Sequence, residues 1–189
     1  MHRVLGPDDP LPRTPDRVIV AGTAGTGKTT LAGRIADALG IEHVEIDGLH
    51  WGEGWTPRQS FSDDVDALIA RERWVTEWQY RIARERLAQR ADLLVWLDYP
   101  VATSMRRVVR RTLRRRLRRI QLWHGNVEPP LWTFLTDRDH IVRWAWRTRA
   151  TYRGLPAQAS AEHPHLVLVR LRSQAEADRW MRTLADATT

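Results

Sequence analysis

The sequence predicts an α/β fold with a five-stranded parallel sheet, and three features of its 189 residues support this prediction. Apolar segments that suit strands alternate with amphipathic segments that suit helices. Residues 92–97 are apolar after Asp92, which is typical of a strand buried on both faces of a parallel sheet. A glycine-rich stretch, residues 22–29, lies between an apolar run and a helical pattern. We therefore expect a doubly wound sheet that binds ligands beyond the carboxyl ends of its strands.

The predicted elements follow from local patterns along the chain. Residues 1–16 contain four prolines among charged residues, so we expect a flexible arm ahead of a single domain, 17–189. The first helix has an apolar residue every fourth position and stops at Gly40. The predicted strands are 17–21, 43–47, 74–77, 92–97 and 165–171. The predicted helices are 28–39, a segment capped by Ser60 or Ser62, 81–90, 101–122, 137–152 and 174–187, with a linker at 156–164.

Composition excludes several classes of function. The chain has no cysteine, which excludes disulfides, zinc sites with cysteine ligands and thiol nucleophiles. No run reaches the roughly 18 apolar residues that span a bilayer, and the N-terminus lacks an apolar signal core, so we expect a cytoplasmic protein with no membrane partner. The net charge of +7 is concentrated in residues 106–119, which are mostly arginine. Such a block can serve a local anionic ligand as well as a nucleic acid.

Residues 22–29 read Gly-Thr-Ala-Gly-Thr-Gly-Lys-Thr, which is the spacing of a phosphate-binding loop. Its glycines let several backbone N–H groups converge, and the following helix adds the positive end of its dipole. Lys28, the single lysine of the chain, would reach the β- and γ-phosphates of ATP, and the Thr29 hydroxyl would ligate Mg²⁺. The residues expected to bind ATP are Gly22, Thr23, Ala24, Gly25, Thr26, Gly27, Lys28, Thr29 and Thr30.

Three acidic residues, Asp47, Glu77 and Asp98, stand where predicted strands end on the side of this loop. A carboxylate on a neighbouring strand commonly holds the water molecules of the Mg²⁺ ion. From pattern alone Asp98 is the better candidate, because the apolar strand before it is stronger than the one before Glu77.

Several stretches together resemble one family. The stretches are residues 46–51, 54–55, 74–80 and 94–100. Together with the phosphate loop, these stretches resemble the adenylate-kinase-related P-loop proteins often labelled DNA topology modulation proteins. The resemblance covers about residues 17–180. It implies a three-layer P-loop NTPase fold like that of nucleoside-monophosphate kinases, with ATP and Mg²⁺ as cofactors and a small-molecule acceptor.

The resemblance also assigns roles to particular residues. In the wider nucleotide-kinase family the third strand ends in an acid that is followed four residues later by an arginine. Glu77 and Arg81 match these positions, which implies that Glu77 rather than Asp98 holds the Mg²⁺ waters and that Arg81 binds an acceptor phosphate. Trp78 replaces the usual glycine and would narrow the acceptor pocket.

Arginines of the later helices match the family as well. Arg107 would stack on the adenine and act in catalysis with Arg111, four residues later, which would grip the phosphates. Arg143 and Arg147 lie where the family places residues that close a lid. By the same resemblance, residues 48–73 form an acceptor-side insert and residues 112–136 a lid region.

Asp47 matches a position at which kinases of the shikimate-kinase type place an aspartate that holds or deprotonates an acceptor hydroxyl. If Asp47 acts in this way the acceptor is an alcohol, whereas a leading role for Arg81 implies a phosphate. His50, Trp51 and Trp55 are expected on the same acceptor side. We assign His50 no metal role, because no second histidine or cysteine stands at ligand spacing.

Two functions are compatible with these residues. The first is transfer of the ATP γ-phosphate to a nucleotide-like or hydroxyl-bearing acceptor, with Lys28, Asp47 and the arginines in catalysis. The second is a nucleic-acid-associated ATPase whose arginine-rich helix follows a phosphate backbone. The first is favoured because the arginines stand at lid distance from the fourth strand. A nucleotide-binding regulator without turnover would have the same sequence features, and either a monomer or a homodimer is expected.

Overall fold

The computed structural model describes residues 4–118, 120–127, 141–150 and 152–186, and a five-stranded parallel sheet forms its centre. The strands are β1 Val4–Leu5, β2 Arg17–Gly22, β3 Trp74–Glu77, β4 Leu93–Leu97 and β5 Val167–Leu171. Their order across the sheet is β1-β5-β4-β2-β3, and all four neighbouring pairs are parallel. The predicted α/β class and the five-stranded parallel sheet are confirmed.

Eight helices are described around the sheet. They are α1 Lys28–Leu39, α2 Ile46–His50, α3 Phe61–Ile69, α4 Arg81–Arg90, α5 Val101–Leu117, α6 Ile141–Arg147, α7 Leu155–Glu162 and α8 Gln174–Asp186. None of these helices, within the described ranges, is long and apolar enough to cross a membrane.

The sheet separates two hydrophobic cores because successive side chains of a strand point to opposite faces. Along β2, Val20 joins the core that contains Ile35 of α1 and Trp180 of α8. Its neighbour Ile19 joins the core that contains Leu87 of α4. Both faces of β2 are thus covered by helices, which accounts for its continuous apolar sequence.

A charged cluster anchors the amino-terminal end of the sheet. Asp92, only 5% exposed, accepts hydrogen bonds from the guanidinium groups of Arg13 and Arg17 at 2.8–3.2 Å. It also accepts the backbone N–H groups of Asp16 and Arg17. Burial alone would raise the pKa of Asp92, but the hydrogen bonds and charge of Arg17, with the charge of Arg13, lower it. The carboxylate is therefore held ionised.

The predicted strand at 43–47 is wrong. Within it, only His43 makes a bridge, to Val75, and the chain then turns into α2. The Ile46 N–H donates to the Glu77 carboxylate at 3.0 Å instead of joining a ladder. Asp47 therefore lies in the first turn of a short helix and not at the end of a strand.

Strand β1 lies in residues 1–16, the segment that was expected to be a flexible arm. Val4 pairs with Leu168 and Leu5 with Val169, and the Leu5 side chain is buried against the core. The prediction for residues 4 and 5 was wrong because a strand of two residues is too short to show any alternation.

Other boundaries also differ from the prediction. Helix α5 ends at Leu117 and not at residue 122. Helix α7 occupies most of the predicted linker, because its Pro156 stands in the first turn, where a missing N–H costs nothing. The predicted helix 137–152 is observed as α6, while residues 128–140 and 151 lie outside the described residues.

Candidate active site

The phosphate loop joins β2 to α1 and emerges between the ends of β3 and β4. Gly25 has φ +83°, and a Cβ there would lie 2.3 Å from the carbonyl oxygen of Ser104 in α5. Gly27, with φ +95°, leads into α1 in the left-handed conformation. A side chain at Gly25 would therefore displace α5, and the loop and α5 are packed as one unit.

Lys28 lies partly buried at the start of α1, and its amine donates to the Thr23 carbonyl oxygen at 3.4 Å. Burial lowers its pKa to about 8, although the charges of Asp47 and Glu77 act in the opposite direction. Arg111 lowers the pKa of Lys28 further. These couplings place the four side chains in one electrostatic environment.

Glu77 ends β3 next to the phosphate loop, where the register pairs it with Val20. Its carboxylate lies 3.2 Å from Nε2 of His43 and accepts the Ile46 N–H. Burial would raise the pKa of Glu77, but hydrogen bonds from His43, Ile46 and the Thr29 hydroxyl lower it. Thr29 and Glu77, the two residues expected to hold Mg²⁺, are therefore adjacent, and the carboxylate is ionised as metal binding requires.

Asp98, the alternative metal residue, is engaged elsewhere. It forms an ion pair with Arg170, whose Nε lies 2.9 Å from the carboxylate. Both residues line a cavity of about 350 Å³ beyond the ends of β4 and β5, which adjoins the phosphate loop at Thr23. This geometry favours Glu77 over Asp98 as the residue beside Thr29.

Asp47 is held by neutral donors. The Tyr80 hydroxyl donates to its Oδ1 at 2.6 Å, and the side-chain amide of Gln79 donates to the same oxygen. Burial raises the pKa of Asp47 despite the lowering effects of Tyr80 and of the Lys28 charge. The site therefore contains a carboxylate with more affinity for a proton than an ordinary aspartate has, which is a property of general bases.

The geometry around Asp47 depends on an unusual backbone conformation at Tyr80. This residue has φ +52° just before α4, a region that non-glycine residues rarely adopt. Its ring packs 4.0 Å from the ring of His50 and 5.2 Å from that of Phe61. Burial lowers the pKa of His50. His50 thus belongs to the wall behind Asp47, and the strained Tyr80 aims its hydroxyl at the carboxylate.

Four of the five predicted arginines lie on α5 or on α6, which packs against it, and the fifth lies on α4. Arg107 donates to the Thr26 carbonyl oxygen at 3.3 Å and stacks 5.3 Å from the ring centre of Tyr99, so it lies at the phosphate loop as expected. Arg111 influences the pKa of Lys28 and Asp47. Arg143 and Arg147 lie on α6, which packs against α5. Arg81 differs, because it is exposed at the first residue of α4.

The predicted tryptophans also divide. Trp51 and Trp55, which were expected on the acceptor side, pack edge to face with their ring centres 5.9 Å apart. Trp78 is only 4% exposed and belongs to the core beside Tyr152, and its indole N–H donates to the Arg84 carbonyl oxygen. The expectation that Trp78 narrows an acceptor pocket is not supported, since its ring is buried in the core.

Two loops of the same shape cover α2. In the loop 51–57 a bridge joins Trp51 to Pro57, and in the loop 121–127 a bridge joins Gln121 to Val127. Gly54 and His124, at equivalent positions, have left-handed φ values of +63° and +54°. We call these segments the twin loops.

The twin loops bind each other through side chains. The Trp55 N–H donates to Oδ1 of Asn126 at 3.1 Å, and the Asn126 amide donates to the Gly52 carbonyl oxygen at 2.8 Å. The Trp123 indole donates to Glu45 at 3.0 Å, and a Cβ on Gly48 would lie 2.9 Å from its ring. The chain after α5 is thereby fixed over the short helix that carries Asp47.

Sequence reasoning missed four residues of this region: His43, Gln79, Tyr80 and Asn126. Tyr80 falls at the end of the stretch 74–80 that carries the family resemblance, and this position was the one available signal. No local pattern marks His43 or Asn126, because their partners are 34 and 71–74 residues distant in the sequence.

Comparisons with known proteins were made against families, curated proteins and solved structures. No family model matches the chain. It is similar to the cytidylate kinases of Natronomonas pharaonis and Haloarcula marismortui, with 33% and 32% identity over 110 residues. Each match covers 50% of this chain and 57% of the relative, so the chain spans little more than half the length of these curated relatives.

Two solved structures resemble almost the whole chain. A gluconokinase from Sinorhizobium meliloti 1021 has a TM-score of 0.53 at 20% identity, with 93% of this chain and 95% of that chain covered. A shikimate kinase from Bacteroides thetaiotaomicron has a TM-score of 0.52 at 14% identity, with 91% and 97% covered. The narrower resemblance to DNA topology modulation proteins stays a prediction. The fold of this chain is that of the P-loop kinases.

Proposed function

We propose that this chain is an ATP-dependent kinase that transfers the γ-phosphate of ATP to a hydroxyl group of a small acceptor. One observation carries the proposal. Asp47, whose pKa is raised, shares its electrostatic environment with Lys28 of the phosphate loop, and among the described residues its carboxylate accepts hydrogen bonds from the neutral Tyr80 hydroxyl and Gln79 amide. A general base beside a phosphate-binding lysine is the arrangement that transfer to an alcohol needs.

The phosphate loop and its neighbours would bind ATP. The backbone N–H groups of residues 22–30 and the Lys28 amine provide positive charge for the phosphates. Arg107 lies beside the loop at Thr26 and is placed to contact the nucleotide, while Arg111 adds charge on the acceptor side of Lys28. Their contribution is orientation and charge stabilisation, which dominate catalysis of phosphoryl transfer.

Thr29 and Glu77 are the residues that would hold Mg²⁺, because a hydroxyl and an ionised carboxylate meet there. The ion supplies neutralisation of the phosphate charge when it is bound with ATP. His43 and the Ile46 N–H hold the Glu77 carboxylate in place through one oxygen each.

Asp47 would accept the proton of the attacking hydroxyl. The oxygen of the acceptor forms a bond to the γ-phosphorus, the bond from that phosphorus to the β,γ-bridging oxygen breaks, and the hydroxyl proton moves to the Asp47 carboxylate. Burial raises the affinity of Asp47 for that proton. Tyr80 and Gln79 orient the carboxylate, and His50, Trp51 and Trp55 border the space around it.

A nucleoside monophosphate is the second candidate acceptor, and the similarity to two cytidylate kinases favours it. Such an acceptor requires a cation for its phosphate. Arg81, the residue expected to supply that cation, is exposed at the start of α4, and it is the raised pKa of Asp47 that favours the alcohol.

The test is Mg²⁺-dependent release of ADP from ATP by the full chain against a panel of acceptors. The panel contains sugar acids, shikimate, nucleosides, CMP and UMP. We expect turnover to depend on a hydroxyl-bearing acceptor without a phosphate, and Lys28→Ala to abolish it. Arg71→Ala, which removes an exposed cation paired with Glu42, is the matched control and keeps the activity.

Other outcomes contradict the proposal in distinct ways. Turnover with CMP that is lost in Arg81→Ala would establish the second candidate. ATP hydrolysis that ignores every acceptor, but rises with single-stranded nucleic acid and falls steeply with salt, would establish the nucleic-acid-associated ATPase. The kinase relatives and neighbours favour phosphotransfer over that alternative.

A further inference from the structure

Three side chains of metal-binding type meet beside the start of β5. Glu85 of α4, Glu162 at the end of α7 and His163 bring one ligand atom each within 4.8 Å of the others. The trio lies on the side of β5 where that strand begins, whereas the phosphate loop lies beyond the strand ends.

The ring nitrogen of His163 is left without a hydrogen bond. Its Nε2 is buried and has no hydrogen-bond partner among the described residues, although Oε1 of Glu85 lies only 3.3 Å away. At that distance the hydrogen bond is missing either when the oxygen lies off the N–H direction or when the ring proton is on Nδ1. A buried ring nitrogen without a partner is unfavourable unless another ligand satisfies it.

The distance between Nε2 of His163 and Oε1 of Glu85 fits two ligand atoms of one metal ion. In a tetrahedral zinc site the bonds to histidine nitrogen and carboxylate oxygen are about 2.0–2.2 Å, so two such ligand atoms stand about 3.3–3.5 Å apart. The 3.3 Å between Nε2 of His163 and Oε1 of Glu85 matches this edge.

The two carboxylates are themselves oriented by amides. Gln89 donates to Oε1 of Glu85 at 3.0 Å, and Gln158 donates to Oε1 of Glu162 at 2.8 Å. Each amide is one helical turn from its carboxylate. Hydrogen bonds of this kind to the ligands are a regular feature of metal sites, where they fix ligand geometry.

From this geometry we propose that Glu85, Glu162 and His163 bind a divalent transition metal ion, with Zn²⁺ as the ion that the one-nitrogen, two-oxygen set fits. Water completes the tetrahedron. The bound ion joins α4 to the turn between α7 and β5 and so ties two helices of the same face together. The site is structural, because it is remote from the phosphate loop.

The first experiment is calorimetric titration of ZnCl₂ into the untagged full chain after dialysis against a chelator, without nucleotide. We expect one Zn²⁺ per chain at this site. His163→Ala should weaken its binding at least about 100-fold, and Gln89→Ala, which removes an orienting amide, about tenfold. His165→Ala is the matched control, because its ring lies 5.9 Å from that of His163 and it is outside the trio.

A second readout separates binding from folding. Co²⁺ in a tetrahedral site absorbs visible light strongly, and this absorption should appear in the wild type and in His165→Ala but be absent in His163→Ala. Glu162→Gln, an exposed substitution, covers the case in which His163→Ala does not fold. Zn²⁺ should also raise the melting temperature of the wild type and of His165→Ala, but not that of His163→Ala, since a ligand of the native state stabilises it.

The proposal is overturned by any of three results. These are the absence of Zn²⁺ binding, equal affinity in the wild type and the folded variants of the trio, or an equal loss in His165→Ala.

Discussion

Asp92, which is buried, and Asp47, which is partly buried, lie near opposite ends of the same sheet, and their pKa values are shifted in opposite directions. Asp92 meets two guanidinium groups and two backbone N–H groups, and its pKa is lowered. Asp47 meets a phenol and an amide, and its pKa is raised. Burial raises the pKa in both cases, but at Asp92 the hydrogen bonds and charge of Arg17, with the charge of Arg13, outweigh it, whereas at Asp47 burial prevails over the lowering effects of Tyr80 and Lys28. A fully compensated carboxylate stabilises the fold, whereas an incompletely compensated one is available for chemistry.

The largest expected effect comes from changing Asp47 to Asn. The substitution removes the proton acceptor, so kcat should fall about 100- to 10,000-fold. Stability should not fall at neutral pH, because a raised folded-state pKa means that the ionised carboxylate destabilises the native state there. The measurement is ADP release together with thermal unfolding. A kcat close to that of the wild type would remove Asp47 from the mechanism.

Asp92→Asn is the same chemical change at the other end of the sheet, and its effects should be reversed. We expect a loss of about 2 kcal/mol in the free energy of unfolding, because the partly exposed Arg17 loses the charged acceptor of its hydrogen bonds. The pKa of Asp92 is lowered, so its contribution is present above the unfolded-state pKa of about 4 and is lost as pH falls through the folded-state value. Urea unfolding at pH 7 and pH 3 checks both points, and kcat should be unchanged.

The lowered pKa of Lys28 predicts a limit at alkaline pH. Free enzyme loses the ammonium charge above a pH of about 8, so kcat/KM for ATP should fall about tenfold per pH unit beyond it. Lys28→Arg keeps a charge at every accessible pH, and any activity it retains should lack this decline. If kcat/KM of Lys28→Arg falls with pH in the same way, the alkaline decline is caused by the titration of another group.

The smallest effect is expected from Tyr80→Phe. The hydroxyl of Tyr80 lowers the pKa of Asp47, so its removal should raise that pKa and move the acidic limb of the pH–rate profile to higher pH. At neutral pH we expect a loss of roughly tenfold or less, in line with one hydrogen bond. Tyr152→Phe is the control, because its hydroxyl donates to the Trp78 carbonyl oxygen, and the acidic limb should not move.

Most of the fold could be predicted because its signals are local. The apolar runs of β2 and β4 and the glycine-lysine spacing of the loop each act within a few residues. The strand β1 could not be predicted, since Val4 and Leu5 acquire strand structure only by pairing with β5. The error at 43–47 has the same origin, because the Glu77 carboxylate takes the Ile46 N–H that a ladder would have used.

The candidate site was predictable in its phosphate-binding half and much less so in its acceptor half. Lys28, Thr29 and Glu77 were expected to share one site, and the structure brings them together. The surroundings of Asp47 depend instead on the left-handed Tyr80 and on the docking of the twin loops. Such tertiary contacts leave no periodic trace in the sequence.

The solitary lysine makes the nucleotide pocket chemically addressable. An acylating reagent that reacts with neutral amines can modify only the Lys28 amine and the α-amino group of the chain. With a pKa of about 8, Lys28 has a far larger neutral fraction at pH 7.5 than an ordinary lysine. Acylation of Lys28, seen as one mass increment on the peptide that contains it, thus marks molecules whose pocket is empty. The fraction of that peptide left unmodified in the presence of a nucleotide measures the fraction of molecules that have bound it.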